Sequence, residues 1–574
     1  MPMKVPESNQ ELARAKPLVS ERAGLSTAHA VWILMATVLA AVLLLKHAGL
    51  YAIVFADEMV FSRHARLLPV ADAPVASFLY FQLYSVTNLC GDGFLTCARM
   101  LNTVCLAASI PFVYGVARHA AGPRTSMALS LLALAAPMSS YAAYFMADAP
   151  YFLAIWISIW AALRLNSAAD HLAWAGVGAL IGIAAQVKPH ALFLLPAFAV
   201  YAIGLGLAGR RPWRSIAFNS VSLFIAALIF KYGIGIALAG PTRGTALLGW
   251  LYSNLAADQA AKMPNYLEMT HKLGLSLLGH GLALSAVAGV GLAVVAASAV
   301  TVCKNIVNGQ ELSEDERVVA LCALLLGSLL LITALFTVSV SGVSPLEIAS
   351  RLHLRYYNFL FPLVIICVAA QLRNVPNSPS RARLVTAIPV GSALVYGTVT
   401  ALYPFSSNFV DGPELQGFLS TSLSGSVARY LLGLVAFISL TAWVWRVRVG
   451  ARMFIFGFIP ALAFAGHIAI TRQQYFSVAD SFVKAAQATR AYLPATELDS
   501  VAVFGSAPFG IPKTLFYLDA VNAGRVTLPP DGAIDLAKLP PGKRWILAVG
   551  NHPLPEAKVE IVIRNADFVL ARVK

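Results

Sequence analysis

Apolar runs of about twenty residues recur along most of this chain, and each is long enough to cross a lipid bilayer as a helix. The first run lies at residues 29–50 and the last at residues 453–470. Hydrophobic residues make up 58% of the chain and charged residues 12%, about half the charged share of a soluble domain. The repeated runs therefore predict a helical protein that crosses the membrane many times.

We expect about thirteen membrane spans. Their approximate bounds are 29–50, 99–117, 126–145, 150–166, 172–187, 191–208, 216–240, 281–303, 319–340, 356–372, 385–402, 427–445 and 453–470. Basic clusters follow four of these spans, at 118–124, 210–214, 373–383 and 446–452, and such clusters are typical of the cytoplasmic side. A cytoplasmic N-terminus places all four clusters on that side, so the span count and the orientation agree.

The composition divides the chain into three parts. Residues 1–27 are polar and predict a cytoplasmic tail, followed by an apolar run too long for a signal peptide, which we interpret as a signal anchor. Residues 28–470 form the predicted transmembrane domain. Residues 471–574 contain strand-like runs at 499–506, 544–549, 559–564 and 568–573 and a helical stretch at 514–520. The predicted fold class is an all-α polytopic membrane protein with a small C-terminal α/β extracytoplasmic domain.

The net charge of +15 does not indicate a nucleic-acid partner. The chain has no basic helix or aromatic platform of the kind that such proteins use. The excess of Lys and Arg is explained by the cytoplasmic ends of the spans. We therefore predict the lipid bilayer as a partner and no nucleic acid.

Unusual charged residues all fall on the extracytoplasmic face in this topology. Ionisable groups close to the hydrocarbon are costly, and they are functional candidates by default. They include Asp57 and Glu58 after the first span, Asp148 before the fourth and Lys188 before the sixth. The predicted catalytic loops on this face are 51–98, 241–279 and 341–355, and they add Arg243, His271, Arg351, His353 and Arg355.

Carboxylates and cations gathered at a membrane edge suit the attack of a hydroxyl group on an activated anomeric carbon. A carboxylate can take the proton of the attacking hydroxyl. Arg, Lys or His can stabilise the negative charge that develops on a departing lipid phosphate. An isoprenoid tail on the donor would explain why such a site lies at the membrane edge.

Cysteine spacing predicts no zinc site. Cys90 and Cys97 flank a Gly-Asp-Gly turn in the first outer loop, where an oxidising compartment would permit a disulfide. Two or three of the outer carboxylates could hold a divalent cation, but no ligand spacing demands one, so we predict no metal site.

Four short motifs on the outer face resemble a known family, and the resemblance covers nearly the whole chain. They are Asp57-Glu58, Ala147-Asp148-Ala149-Pro150, Lys188-Pro189-His190-Ala191-Leu192 with Pro196, and Arg355-Tyr356-Tyr357 with Pro362. Their order and common face resemble the GT-C fold glycosyltransferases, in particular the branch that contains protein O-mannosyltransferases and the aminoarabinose transferases of lipid A.

The resemblance implies a polyprenyl-phosphate sugar donor and an inverting direct displacement. Asp57 then corresponds to the general base, and Glu58 and Asp148 orient the acceptor, the sugar or a bound cation. The cations that would contact the donor phosphate are Lys188, Arg243, His271, Arg351, His353 and Arg355. One departure stands out: the aminoarabinose branch has a Lys-Pro-Pro stretch in the first loop, where this chain has Asp72-Ala73-Pro74. The missing Lys puts an aminoarabinose substrate in doubt.

The sequence thus predicts a hexosyl- or pentosyltransferase in a bacterial inner membrane. Its acceptor would be lipopolysaccharide, another glycan of the cell envelope or a protein, and its active site would be periplasmic. One alternative is an O-antigen ligase or polymerase, which is expected to use a large outer loop rich in Arg and His. A second is a transporter or lipid flippase, which predicts internal repeats and polar residues near the bilayer midplane.

Overall fold

Helices dominate the computed structural model up to residue 474, and a small α/β unit follows. The structure describes residues 8–52, 56–135, 137–251, 254, 266–343, 347–373, 380–420, 422–474, 478–506 and 510–574. Within the predicted loop 241–279, residues 252, 253 and 255–265 therefore lie outside the described residues.

Seventeen helices make up the first part of the described chain, in order. They are α1 Ser8–His47, α2 Ala56–Arg66, α3 Phe78–Tyr84, α4 Phe94–Ala120, α5 Pro123–Ser130, α6 Asp148–Arg164, α7 His171–Val187, α8 Leu195–Ala208, α9 Trp213–Arg243, α10 Tyr266–Val307, α11 Glu314–Val340, α12 Phe361–Ala370, α13 Arg381–Thr400, α14 Gln416–Leu419, α15 Leu423–Trp445, α16 Val447–Met453 and α17 Ile459–Gln474. One π-helical turn, Phe454–Phe458, joins the last two.

Nine helical segments of the described chain are long and apolar enough to cross a membrane. The polytopic helical fold is therefore confirmed. Three further predicted spans correspond to shorter helices, since α6 and α7 have 17 residues each and α12 has 10.

The prediction of a continuous third span at 126–145 is wrong. Helix α5 ends at Ser130, and two 3₁₀ turns follow it at Leu131–Leu134 and Met138–Ala143. Pro137 lies between the two turns. Proline has no backbone N–H to donate and its ring clashes with the preceding helical turn, so Pro137 disfavours a continuous α-helix through this segment.

Small residues let α7 and α9 approach closely. Gly178 and Gly182 lie one helical turn apart on α7. A Cβ atom on Gly178 would lie 2.1 Å from the carbonyl oxygen of Leu223, and one on Gly182 would lie 2.4 Å from that of Ala227. Glycine pairs with this spacing are typical of tight helix packing in membranes, where contact between backbones replaces the hydrophobic effect.

The C-terminal unit is the predicted α/β domain. Its elements are α18 Ser481–Tyr492, α19 Ala495–Leu498, β1 Val501–Gly505, α20 Gly510–Leu518, β2 Gly524–Thr527, β3 Trp545–Val549, β4 Val559–Arg564 and β5 Phe568–Val573. The strand order is β2-β1-β3-β5-β4, with β1 parallel to β2 and β3, and β5 antiparallel to β3 and β4.

Strand β1 has a continuous apolar sequence because both of its faces are buried. All five of its residues are buried. Val501 and Val503 pack into one apolar cluster with α18 and α20, whereas Ala502 and Phe504 pack into a second cluster on the opposite face of the sheet. Successive side chains of a strand point to opposite faces, so a central strand covered on both sides must be apolar throughout.

The C-terminal domain contacts the helix that carries the Asp57-Glu58 pair. Arg66 on α2 forms an ion pair with Asp519, and Arg63 donates a hydrogen bond to the carbonyl of Val521. The Phe94 and Phe516 rings pack with their centroids 5.2 Å apart. The C-terminal domain thus packs against α2 and the first residue of α4.

Candidate active site

Asp148 is the centre of a buried ionic cluster. Its carboxylate lies 2.8 Å from Lys188 Nζ and accepts two hydrogen bonds from Arg355, at 3.0 Å from Nε and 2.9 Å from Nη2. The Asp148 side chain is only 4% exposed and that of Lys188 8%. A buried carboxylate is tolerated only where it is paired and hydrogen-bonded, and here both of its oxygens are occupied by cations.

Three interruptions of helical structure bring this cluster together. Asp148 is the first residue of α6, Lys188 follows the last residue of α7, and Arg355 lies in the 3₁₀ turn Leu354–Tyr356. Pro150, Pro189 and Pro362 stand close behind them in the chain. Proline favours the first turn of a helix and disfavours helix in the residue before it, so Asp148 and Lys188 fall at helix ends. Arg355 precedes α12, which begins at Phe361 with Pro362 in its first turn.

Asp57 stands at the open side of the cluster. Its Oδ2 lies 3.5 Å from Nη1 of Arg355, and its side chain is 59% exposed. Arg355 therefore contacts both carboxylates. Burial lowers the pKa of Arg355, but Asp148 and Asp57 outweigh that effect and hold the pKa well above its usual value. The structure thus joins Asp57, Asp148, Lys188 and Arg355 in one site with an accessible carboxylate.

A second ionic group lies along the chain from Arg355. Arg351 pairs with Asp411, at 3.1 Å from its Nε, and with Glu347. Asn408 Nδ2 donates to Asp411 Oδ2 at 2.9 Å, and the Asp411 carbonyl accepts a hydrogen bond from the Arg355 backbone N–H at 2.6 Å. The loop around Asp411 therefore holds the backbone of Arg355 in place.

His353 lies in the same group but is not a cation at neutral pH. Burial lowers its pKa to about 4, although Asp411 opposes the shift. Its Nδ1 lies 3.8 Å from Asp411 Oδ2, and its backbone N–H donates to His280 Nε2 at 3.2 Å. A neutral imidazole can donate a hydrogen bond to an anion, but it supplies no positive charge.

Aromatic rings line the cationic side of the site. Lys188 Nζ lies 5.2 Å from the centre of the Tyr356 ring and 5.4 Å from that of Tyr151. The His190 ring packs against Tyr356 with centroids 5.0 Å apart. Attraction between an ammonium group and a ring face adds to the pairing with Asp148, so Lys188 is held from several directions.

Glu58 points away from this site. Its side chain is fully buried, and Oε1 accepts a hydrogen bond from the Phe145 backbone N–H at 2.9 Å. Arg99 on α4 donates to the Ala143 carbonyl at 3.1 Å in the same region. Both side chains bind the segment that leads into Asp148, so the structure gives Glu58 a positioning role.

Arg243 and His271 lie on the surface. Each is exposed, and neither makes a hydrogen bond or an ion pair with the Asp148 cluster among the contacts of the described residues.

Cys90 and Cys97 are joined by a disulfide with Cα atoms 6.5 Å apart. Within the described ranges, no three His, Cys, Asp or Glu side chains are grouped so that they could hold a metal ion.

Sequence reasoning missed two residues that the site depends on. Asp411 lies in the polar stretch 404–424, where Asp411-Gly412-Pro413-Glu414 offers two acids between apolar runs, the same signal that singled out Asp57-Glu58. Arg99 is the first residue of the predicted span 99–117. An Arg inside such a run is itself a functional signal, because hydrocarbon disfavours the charge.

Comparison with known proteins finds a family model that is similar to part of this chain. The family model described as dolichyl-phosphate-mannose-protein mannosyltransferase matches residues 73–232, a range that includes Asp148 and Lys188. A search of curated protein sequences found no match. Among solved structures, the chain is similar to ArnT from Cupriavidus metallidurans, which was crystallised bound to undecaprenyl phosphate. The identity is 14%, the alignment covers 94% of this chain and 97% of that chain, and the TM-score is 0.48. The family match confirms that this membrane protein resembles the GT-C glycosyltransferases.

Proposed function

We propose that this protein transfers a sugar from a polyprenyl-phosphate donor to a hydroxyl group of an acceptor at the periplasmic face of a bacterial inner membrane. The observation that carries the proposal is the pairing of an exposed carboxylate, Asp57, with a guanidinium group that a buried carboxylate holds in place. The family match supports a glycosyl group as the transferred unit.

Asp57 is the general base of the proposed reaction. It is the exposed carboxylate of the cluster, whereas both oxygens of Asp148 are bonded to cations. The acceptor O–H gives its proton to Asp57 as the oxygen forms a bond to the anomeric carbon. The bond between that carbon and the phosphate oxygen breaks at the same time. The anomeric configuration is inverted, because the acceptor attacks from the face opposite the leaving group.

Lys188 and Arg355 receive the charge that develops on the departing polyprenyl phosphate. Asp148 does not react; it keeps both cations oriented, so that little reorganisation is needed as the charge develops. Arg351 and His353 support Arg355 through Asp411 and lie one layer further from the reacting atoms. The exposed Arg243 and His271 are left for contacts with the acceptor or the membrane surface.

The domain arrangement follows from the same proposal. Residues 1–27 are the cytoplasmic tail, residues 28–470 the catalytic membrane domain and residues 471–574 a periplasmic domain. The contact between Asp519 and Arg66 supports the last assignment, because it puts the C-terminal domain beside the helix that carries Asp57. The acceptor is lipopolysaccharide, another envelope glycan or a protein.

Replacement of Asp57 tests the proposal. We expect Asp57→Asn to lower sugar transfer by about 10²–10⁴-fold, the usual contribution of general base catalysis, without loss of membrane insertion or folding. The measurement is transfer from a polyprenyl-phosphate sugar in membranes that contain the variant, with the native acceptor identified by mass spectrometry of envelope glycans with and without the gene. Asp92→Asn is the matched control, since Asp92 is also an exposed acid of the first loop. Full activity of Asp57→Asn would show that another group is the base.

A further inference from the structure

Another buried acid, Glu414, lies outside the catalytic cluster, and none of the other described residues is its hydrogen-bond partner. Glu414 is only 3% exposed, and among the described residues its carboxyl group meets only its own backbone N–H and has no hydrogen-bond partner from another residue. It lies in the 3₁₀ turn Pro413–Leu415, three positions after Asp411. Buried polar groups are nearly always satisfied, so an exception of this kind calls for a functional explanation.

Glu414 lines a cavity of about 280 Å³. This volume is nearly twice that of an apolar cavity of about 150 Å³ that binds benzene in another protein. Apart from Glu414, the lining residues are apolar and include Leu132, Val287, Phe361, Ile365 and Phe454. A cavity with apolar walls and one carboxyl group suits a ligand that is apolar with a single polar end.

Irregular backbone forms three walls of the cavity. Ala135 and Pro137 lie where the third apolar run breaks, Ala288 interrupts α10 with φ −140° and ψ 21°, and Phe454 and Ile455 belong to the π-helical turn. Single π-helical turns occur frequently at functional sites. Irregular backbone at membrane depth is tolerated where it is buried in protein or lines a cavity. The convergence of three such features indicates a built cavity rather than a packing defect.

Charge identifies the polar end of the ligand. Among the described residues that line the cavity there is no Lys, Arg or His, so an anionic ligand would meet only a carboxyl group. A ligand without polar atoms would leave the Glu414 carboxyl group without a hydrogen-bond partner from outside its own residue. A primary ammonium group has three donors and can satisfy both oxygens at once. The Phe361 and Phe454 rings in the lining add a favourable environment for a cation.

We propose that this cavity binds a compact apolar molecule that carries one primary ammonium group, with Glu414 as its counter-ion. The site is separate from the proposed catalytic cluster, but its loop is shared. Tyr141 donates a hydrogen bond to the Val410 carbonyl at 2.6 Å, and Asp411 holds Arg351 and the Arg355 backbone. The ligand therefore binds next to the loop that supports Arg355.

Binding of 1-adamantylamine to the purified full-length protein in detergent tests the proposal. We expect saturable binding of one molecule per chain by calorimetry, and weak binding of 1-adamantanol, which has the same apolar body and no charge. Glu414→Gln should weaken binding of the amine by about tenfold or more, because it removes one partner of a buried charge pair. Glu268→Gln, a substitution of an exposed acid on α10, is the matched control and should bind like the wild type.

A second variant locates the ligand without altering Glu414. Ala463 lines the cavity, and Ala463→Phe should fill the space and abolish binding of the amine. Equal binding of amine and alcohol, or undiminished binding to Glu414→Gln or Ala463→Phe, would overturn the proposal. The readout is binding and not sugar transfer, so its failure is distinguishable from failure of the proposed function.

Discussion

Asp148 and Glu414 are two buried acids in opposite situations. Asp148 is surrounded by Lys188 and Arg355, which occupy both of its oxygens, whereas Glu414 faces an apolar cavity without a partner in the described structure. The two side chains are buried to nearly the same extent. The neighbouring groups alone therefore decide whether the carboxyl group is paired with cations or is available to bind a cation.

The largest effect is expected when the paired acid is removed. Asp148→Asn leaves two buried cations without their carboxylate, and breaking a buried pair in this way costs about 3–5 kcal/mol. Unfolding in mixed detergent micelles that contain sodium dodecyl sulfate measures the loss. Lys188→Met in the same background should cost less than it does alone, because the cation that Asp148 compensated is gone. Equal and additive costs would contradict a single coupled cluster.

The ion pair between α2 and the C-terminal domain offers an intermediate case. The side chains of Arg66 and Asp519 are 4% and 15% exposed. We expect Arg66→Ala to destabilise the protein by about 2–4 kcal/mol and to lower sugar transfer, because α2 carries Asp57.

Exchange of the two charged residues tests whether the ion pair itself stabilises the contact between α2 and the C-terminal domain. Arg66→Asp combined with Asp519→Arg should recover part of the stability and activity that either single substitution loses. Activity that stays at the wild-type level in Arg66→Ala would show that α2 keeps its place without this ion pair.

The unpaired acid should respond to pH in the opposite sense to a paired acid. Burial raises the pKa of Glu414 from 4.5 to about 8 in the folded protein. The folded state then holds more protons than the unfolded state between these values, so stability falls as pH rises from 4.5 to about 8. Glu414→Gln removes this dependence and should be more stable than the wild type near pH 8. The measurement is the difference in unfolding midpoint between the two proteins across this pH range.

An exposed ion pair should contribute least to the stability of the protein. Lys272 Nζ lies 2.7 Å from Glu268 Oε1 on α10, with the side chains 35% and 47% exposed. Solvent screens such a pair, and Glu268→Gln should change stability by about 0.5 kcal/mol or less. A loss comparable with that of Asp148→Asn would mean that distance between partners, and not burial, sets the scale.

Much of the membrane domain could be predicted from the sequence, since apolar runs of membrane length are a strong local signal. The predictions that were wrong or missing have physical causes. The third run contains Pro137 and breaks into two turns, although its hydropathy is that of a span. Short helices such as α12 cannot be told from spans by hydropathy alone. Strand β2 was missed because its four residues, Gly524–Thr527, include only one that is buried.

The candidate site was predictable as a set of residues but not as an arrangement. Charged residues beside apolar runs identified Asp57, Asp148, Lys188 and Arg355, because charge near hydrocarbon is costly wherever it occurs in the chain. The same signal could not separate Asp57, which is exposed, from its neighbour Glu58, which is fully buried. Adjacent residues of a helix point in directions about 100° apart, so only the packing around α2 decides which one faces the site.

By itself, then, the sequence determined the membrane class of the protein, the α/β character of its C-terminal domain and the residue types that its site contains. These follow from composition and local pattern. Tertiary structure alone decided that Asp148 would hold Lys188 and Arg355, that Asp411 would hold Arg351, and that no other described residue would pair with Glu414. Each pairing joins residues from different helices or loops, and no local pattern encodes the approach of groups that lie far apart in the chain.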